Sequence, residues 1–203
     1  MRLVLVAVLA LAAAPVLAQQ APKGPPGAPD PSRVVAGTYK VDTGHTQVLF
    51  TYLHLGFTEY TGQFTQPTGS LVLDPKNPAN DKVEISFPIA KVATSVPGLN
   101  DHFQKPELFD SAKYPEGKFT STSVTVHGTT ATIVGNLTLK DVTKPITLEA
   151  RFVGAGASMG SKKPYVGFAA TGSINRSDYH LGFLVPMVAD QVDLVINAGF
   201  VQE

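Results

Sequence analysis

The chain of 203 residues contains no cysteine. Without cysteine no disulfide can form, so the hydrophobic core alone has to stabilise the fold. The missing thiol also excludes lipid attachment at an N-terminal cysteine. A net charge is absent too, because 16 lysines and arginines balance 16 aspartates and glutamates. A neutral chain lacks the positive excess that drives binding to phosphate backbones, so nucleic acid is not expected as a partner.

The apolar run at the N-terminus is shorter than a typical membrane span. It extends from Leu3 to Leu17 behind Arg2 and is interrupted by Pro15, whereas a spanning helix needs about 20 apolar residues. Ala18 is a small residue suited to cleavage, so residues 1–18 are predicted to be a signal peptide. An uncleaved anchor is the alternative. The expected product is a soluble periplasmic protein with no stable membrane insertion.

The next segment is rich in proline and glycine. Residues 19–33 read QQAPKGPPGAPDPSR and have almost nothing to bury, so residues 19–36 are predicted to be a disordered leader. No similar break follows, and residues 37–203 are predicted to form one domain.

Period-two alternation of apolar and polar residues dominates this domain. In GNLTLKDVTKPITLEARF, residues 135–152, two alternating runs flank a polar break that includes Lys144 and Pro145, which predicts an antiparallel hairpin. A tight-turn signal, His127–Gly128, separates two further runs. About eight such strands at close spacing predict an all-β sandwich or barrel. An eight-stranded barrel is wide enough either to be filled by side chains or to hold a small ligand, and the pattern leaves both open.

Residues 98–115 differ from the rest of the domain. Their apolar residues have helix-like spacing, Asn100 or Asp101 could cap a helix, and Pro106 would end or restart it. We expect one or two short helices across a barrel mouth.

No catalytic or metal site is predicted. The run from Gly156 to Gly160 matches G-x-S-x-G, but a nucleophile elbow needs a helix after the serine, and a second strand is predicted there instead. The five histidines have none of the spacings typical of metal sites. Residues His102 and Asp101 could act as acid and base only if a second catalytic group converged on them.

Several motifs together resemble the YceI-like family of exported lipid-binding proteins. They are GNLTL at 135–139 followed by VTKP at 142–145, LFD at 108–110 with KYP at 113–115, and RSDY at 176–179. The resemblance implies an eight-stranded antiparallel, lipocalin-like barrel that binds a polyisoprenoid or a similar long-chain amphiphile, such as a quinone-like lipid, without a cofactor. The chain departs from the family pattern at Leu99 and Asn100, which replace an arginine and an aspartate, and at His180, which replaces a glycine.

The hydrophobic ligand would contact two groups of residues. The cavity wall is predicted from the apolar phase of the strands as Phe50, Tyr52, His54, Phe64, Phe87, Leu137, Leu148, Phe152, Phe168, Leu194 and Ile196. A head-group site is predicted at Asn100, Asp101, His102 and Arg176, with helix capping as the alternative role of Asp101.

The runner-up function is a stress-related interaction protein of the envelope with a filled core. An enzyme acting on such a lipid is the third reading. The prediction is that the protein is not an enzyme, and a homodimer is left open.

Overall fold

Eleven strands, one α-helix and four short 3-10 turns make up residues 24–203, the part of the chain that the computed structural model describes. The predicted signal peptide and residues 19–23 lie outside this part. The strands are β1 (Gly37–Val41), β2 (Gln47–His54), β3 (Thr58–Phe64), β4 (Thr68–Leu73), β5 (Lys82–Pro88), β6 (Val92–Ala93), β7 (Glu116–His127), β8 (Thr130–Leu139), β9 (Val142–Ala157), β10 (Pro164–Asn175) and β11 (Gln191–Gln202).

Eight of these strands close into an antiparallel barrel, in the order β1-β4-β5-β7-β8-β9-β10-β11 and back to β1. Strand β11 pairs with β1 near Phe200 and with β2 along Asp193–Asn197. β1 and β2 are therefore two halves of one bent side of the barrel. β4 pairs with β1 and β3 pairs with β2, so β3 and β4 form the neighbouring side. The predicted all-β, eight-stranded antiparallel barrel is confirmed.

The hairpin expected in residues 135–152 is present, but its turn lies earlier than predicted. β8 ends at Leu139, Lys140 adopts a positive φ of 54°, and β9 begins at Val142. Lys144 and Pro145 lie within β9, where Pro145 is paired opposite Asn136. The turn predicted at His127–Gly128 is confirmed, and Gly128 supplies the positive φ of 63° that joins β7 to β8.

The helix α1 (Pro97–Phe103) is the one α-helix in residues 24–203 and lies beside β6. Pro97 stands in the first turn, where its missing N–H is not needed. Val96 occupies the N-cap position, so the predicted capping by Asn100 or Asp101 is wrong. Asn100 instead accepts hydrogen bonds from the Thr94 N–H and hydroxyl, both at 2.8 Å. No helix in the described part of the chain has the length and apolarity needed to cross a bilayer.

Part of the predicted disordered leader lies against the barrel. Ala28 and Ala155 exchange two backbone hydrogen bonds of 3.0 and 2.9 Å, and residues 31–33 form a 3-10 turn capped by Asp30. Residues 24–36 therefore differ from the disorder expected of their composition. The reason is local: the strand they contact carries Gly154 and Gly156, which let a second backbone approach closely.

This contact predicts a specific effect of Gly156→Val. A Cβ at Gly156 would lie 2.1 Å from the Pro26 carbonyl oxygen, so the leader has to move away. We expect limited proteolysis to cleave residues 24–36 of this variant faster than in the wild type, with the barrel intact. Gly160→Val is the matched control, because a Cβ there meets nothing within 4 Å. Equal cleavage rates in both variants would contradict the contact.

The apolar phase of the strands points inward as predicted. Phe50, Phe64 and Phe87 are 5–7% exposed, and each of the ten aromatic and aliphatic residues predicted for the wall is buried or half-buried. These residues fall into two contiguous hydrophobic clusters, one toward α1 and one toward the opposite end.

Candidate functional site

The barrel encloses a cavity of about 370 Å³. This volume lies in the range of roughly 300–1,000 Å³ typical of small-molecule sites. Its wall is almost entirely aliphatic and aromatic and comes from every strand of the ring except β1, together with residues of β2 and β3. The alternative of a completely filled core therefore does not describe this barrel.

Eight of the eleven residues predicted for the wall line this cavity: Phe64, Phe87, Leu137, Leu148, Phe152, Phe168, Leu194 and Ile196. All eight face inward on β3, β5 and β8 to β11, as the alternation of apolar and polar residues along these strands predicted.

Phe50, Tyr52 and His54 do not line the cavity, and for these three the structure corrects the prediction. They follow Val48 along β2 toward the α1 end of the barrel. The Phe50 ring lies 5.9 Å from that of Phe103 in α1, and Tyr52 stacks on Tyr60 at 5.8 Å. The alternation correctly placed their side chains on one face, but it carries no information on how deep the cavity reaches.

Small residues on the inward phase create the open volume, and these were not predicted. Ala131, Ala150, Ala170 and Ala198 line the cavity. Alanine in the core-facing phase of neighbouring strands leaves space that larger side chains would fill. The signal was available in the sequence, because these alanines alternate with the same period as the aromatic residues.

The cavity reaches the surface at the end of the barrel opposite α1. Its lining there includes the β7–β8 turn at Gly128 and Thr129, and Pro31 of the leader. We call this end the mouth. Polar and charged residues occur among the lining here, namely Asp81, Lys82, Thr129, Thr130 and Arg151. The mouth therefore pairs an apolar interior with a polar rim.

Asp81 is the half-buried acid of this rim. Burial raises the pKa of its carboxyl, and the hydrogen bond from the Asp74 N–H at 2.7 Å offsets part of that rise. The folded pKa of Asp81 therefore lies above its unfolded pKa, which means that the folded state favours the protonated carboxyl. The stability that this protonation contributes is fully present below the unfolded pKa and is lost as the pH rises through the folded pKa.

Asp81→Asn is therefore expected to raise the thermal stability at neutral pH, with the gain shrinking in acid. Melting curves at acidic and neutral pH test this. Asp74→Asn is a control of opposite sign, because hydrogen bonds from Asn80 and Asn77 lower the Asp74 pKa. Its substitution should reduce stability at neutral pH. A pH-independent effect of Asp81→Asn would contradict the burial of this carboxyl.

The four residues predicted for a head group lie away from the cavity, and none of them lines it. Asp101 is exposed on α1, and the His102 Nε2 lies 3.2 Å from a carboxylate oxygen of Glu107. The predicted head-group site at α1 is thus not connected to the cavity. The helix covers the closed end of the barrel rather than its mouth.

Arg176 has a structural role instead. Its guanidinium is buried and donates to the carbonyl oxygens of Ala189 at 2.8 Å, Phe183 at 2.9 Å, Val188 at 2.7 Å and Leu181. Burial lowers the pKa of Arg176. Four of its five N–H donors therefore hold the 181–189 loop onto the barrel.

The sequence motif around Ser158 is not a nucleophile elbow. β9 ends at Ala157 and β10 begins at Pro164, so the serine lies in a connection between two strands with no helix after it. Among residues 24–203, no group of three or more His, Cys, Asp or Glu side chains is arranged to hold a metal ion.

Comparison with known proteins identifies relatives along most of the chain. Residues 39–200 match the YceI-like domain. The chain is 38% identical over 172 residues to Protein YceI of Escherichia coli O157:H7, a match that covers 83% of this chain and 89% of that protein.

Two solved structures share the fold. BcnA of Burkholderia cenocepacia superposes with a TM-score of 0.71 at 21% identity, covering 78% of this chain and 98% of BcnA. A polyisoprenoid binding domain from Saccharophagus degradans superposes with a TM-score of 0.60 at 14% identity, covering 83% of this chain and 100% of that domain. At these identities the two similarities concern the fold alone.

Proposed function

This chain belongs to the YceI-like family, and on that premise we propose that it is an exported protein that binds a polyisoprenoid or a similar long-chain amphiphile inside its barrel. A quinone-like lipid is included in this class. The observation that carries the proposal is the apolar cavity of about 370 Å³. The structural neighbour from Saccharophagus degradans, which is named as a polyisoprenoid binding domain, supports the choice of ligand.

The cavity has the chemistry that such a ligand requires. Burial of a hydrocarbon chain contributes about 0.8 kcal/mol per methylene, so a few isoprene units supply several kcal/mol without any reactive group. The aromatic and aliphatic wall offers this burial from the mouth to Phe64 and Phe87. The protein is accordingly proposed to be a binding protein and not an enzyme.

The polar end of the ligand is proposed to lie at the mouth. Lys82, Arg151 and Thr129 stand among the lining residues there and can donate hydrogen bonds to an oxygen-bearing head. This placement differs from the head-group site that the sequence predicts near His102 and Arg176. The contacts at the closed end support this placement, because four of the five Arg176 N–H donors are already occupied by carbonyl oxygens.

Native mass spectrometry of the purified full chain, followed by extraction into organic solvent, tests the proposed function. We expect a mass increment that matches an extracted isoprenoid or related lipid. Reloading the extracted protein with farnesol provides a second measurement. A protein that carries no lipid and that farnesol does not saturate would refute the proposal. The same spectra report whether the protein is a monomer or a homodimer.

Export to the periplasm is proposed from residues 1–18. We expect N-terminal sequencing of protein isolated from the cell envelope to begin at Gln19, because Ala18 precedes the proposed cleavage site. An intact Met1 on envelope protein would show that the segment acts as an anchor.

A further inference from the structure

The deep end of the cavity is closed by large aromatic side chains. Phe64 and Phe87 are the last aromatic residues on the lining toward α1 and are 7% and 6% exposed. Behind them lie Phe50, Phe103 and Phe109, which belong to the same core cluster but do not line the cavity. We call these five residues the phenylalanine plug.

The rings of the plug pack against one another as a connected set of aromatic pairs. The Phe64 ring centroid lies 4.8 Å from that of Phe87 and 5.2 Å from that of Phe50. Phe109 meets Phe64 edge-on at 5.8 Å, and Phe103 of α1 lies 6.0 Å from Phe109. Such distances are those of favourable aromatic pairs. Through Phe103, the helix α1 thus adds to the plug at the closed end of the barrel.

Glycines on neighbouring strands hold two of these rings in place. A Cβ at Gly117 would lie 2.3 Å from the Phe87 ring, and a Cβ at Gly62 would lie 2.3 Å from the Phe50 ring. Each ring therefore lies directly on the backbone of the next strand. Neither ring can move further toward that strand. Within the plug, Phe64 packs against both rings.

We propose that the phenylalanine plug sets the maximum chain length of the lipid that the barrel accepts. This inference rests on the proposed function. A hydrocarbon chain entering at the mouth gains affinity for each unit that it buries, until its end reaches Phe64 and Phe87. Further units have to remain in water at the mouth or displace rings that are held by Gly117 and Gly62. The plug therefore makes the site selective for length as well as for apolarity.

The test titrates a series of prenyl alcohols, from geraniol through farnesol and geranylgeraniol to solanesol, into lipid-free full-length protein. In the wild type, affinity should rise on the order of tenfold or more for each added isoprene unit and then stop rising at one length. In Phe87→Ala, the limit should move to a probe longer by about one isoprene unit, since the missing ring leaves comparable volume. Should this variant fail to fold, Phe87→Val removes less volume and should raise the affinity of the first probe beyond the wild-type limit.

Phe119→Ala is the matched control. Phe119 lines the side wall of the cavity and is 7% exposed, close to the value of Phe87. Its truncation should weaken all probes without moving the length limit. Affinity that rises equally to solanesol in wild type and Phe87→Ala, or a limit that moves in Phe119→Ala as well, would overturn the role of the plug while leaving lipid binding in place. Failure of every probe to bind the wild type would instead overturn the proposed function.

Discussion

Ala170→Phe is expected to abolish binding of a prenyl alcohol while the barrel remains folded. Ala170 lies on the inward phase of β10, lines the cavity and faces Ala150 and Ile196 on the neighbouring strands. A phenyl ring at this position occupies volume that the ligand needs. We expect the affinity for farnesol to fall by roughly a hundredfold or more, because several buried methylene equivalents are lost at about 0.8 kcal/mol each.

Ala169→Phe is the matched control for this experiment. Ala169 precedes Ala170 on the same strand, is half-buried as Ala170 is, and takes the outward phase opposite Arg151 and Asn197. Farnesol affinity of this variant should equal that of the wild type. Calorimetric titration of both variants, with circular dichroism to confirm the fold, makes the comparison. Unchanged affinity in folded Ala170→Phe would place the ligand outside the barrel.

Arg176→Leu is expected to destabilise the protein by about 3 kcal/mol or more. The substitution removes a buried guanidinium that donates to four carbonyl oxygens of the 181–189 loop. Each buried acceptor left without a donor costs about 1–3 kcal/mol, although part of this is recovered where the loop rearranges to meet water. Urea unfolding measures the loss. In protein that remains folded, the intrinsic affinity for farnesol should not change.

The comparison variant is Arg151→Leu, in which the substituted arginine is exposed on β9. Its stability should stay within about 0.5 kcal/mol of the wild type, as is usual for surface positions. If Arg176→Leu were equally stable and had lost its affinity for farnesol, Arg176 would bind the head group, and the structural role described above would be wrong.

The structure explains why the residues predicted for the head group were misplaced. Polar residues in an irregular segment with a neighbouring arginine are a reasonable pattern for a ligand site, and Asn100, His102 and Arg176 fit it. Each is instead used locally: Asn100 by Thr94, His102 by Glu107, and Arg176 by the 181–189 loop. A single sequence does not distinguish a polar group that is free for a ligand from one whose hydrogen bonds are already made, because which nearby groups meet depends on how the irregular segments fold.

The sequence by itself determined the strand phase, and with it which residues face the interior. Period-two alternation follows from local backbone geometry, so Leu137, Leu148 and Leu194 could be placed inward without knowledge of the fold. The motifs at 135–145 and 176–179 also determined the family and hence the closed eight-stranded barrel. The four inward alanines were equally readable, although their importance as the source of the open volume was not recognised.

Only the tertiary structure decided which end of the barrel opens and how far the cavity extends. Both depend on contacts between segments that are far apart in sequence: Phe103 of α1 packs on Phe50 of β2, and the leader pairs with β9 at Ala155. Alternation assigns a side chain to a face of a strand but not to a position along the barrel axis. Phe50 and Phe64 therefore have the same pattern in the sequence. Only their packing makes Phe64 part of the cavity wall and Phe50 part of the core behind it.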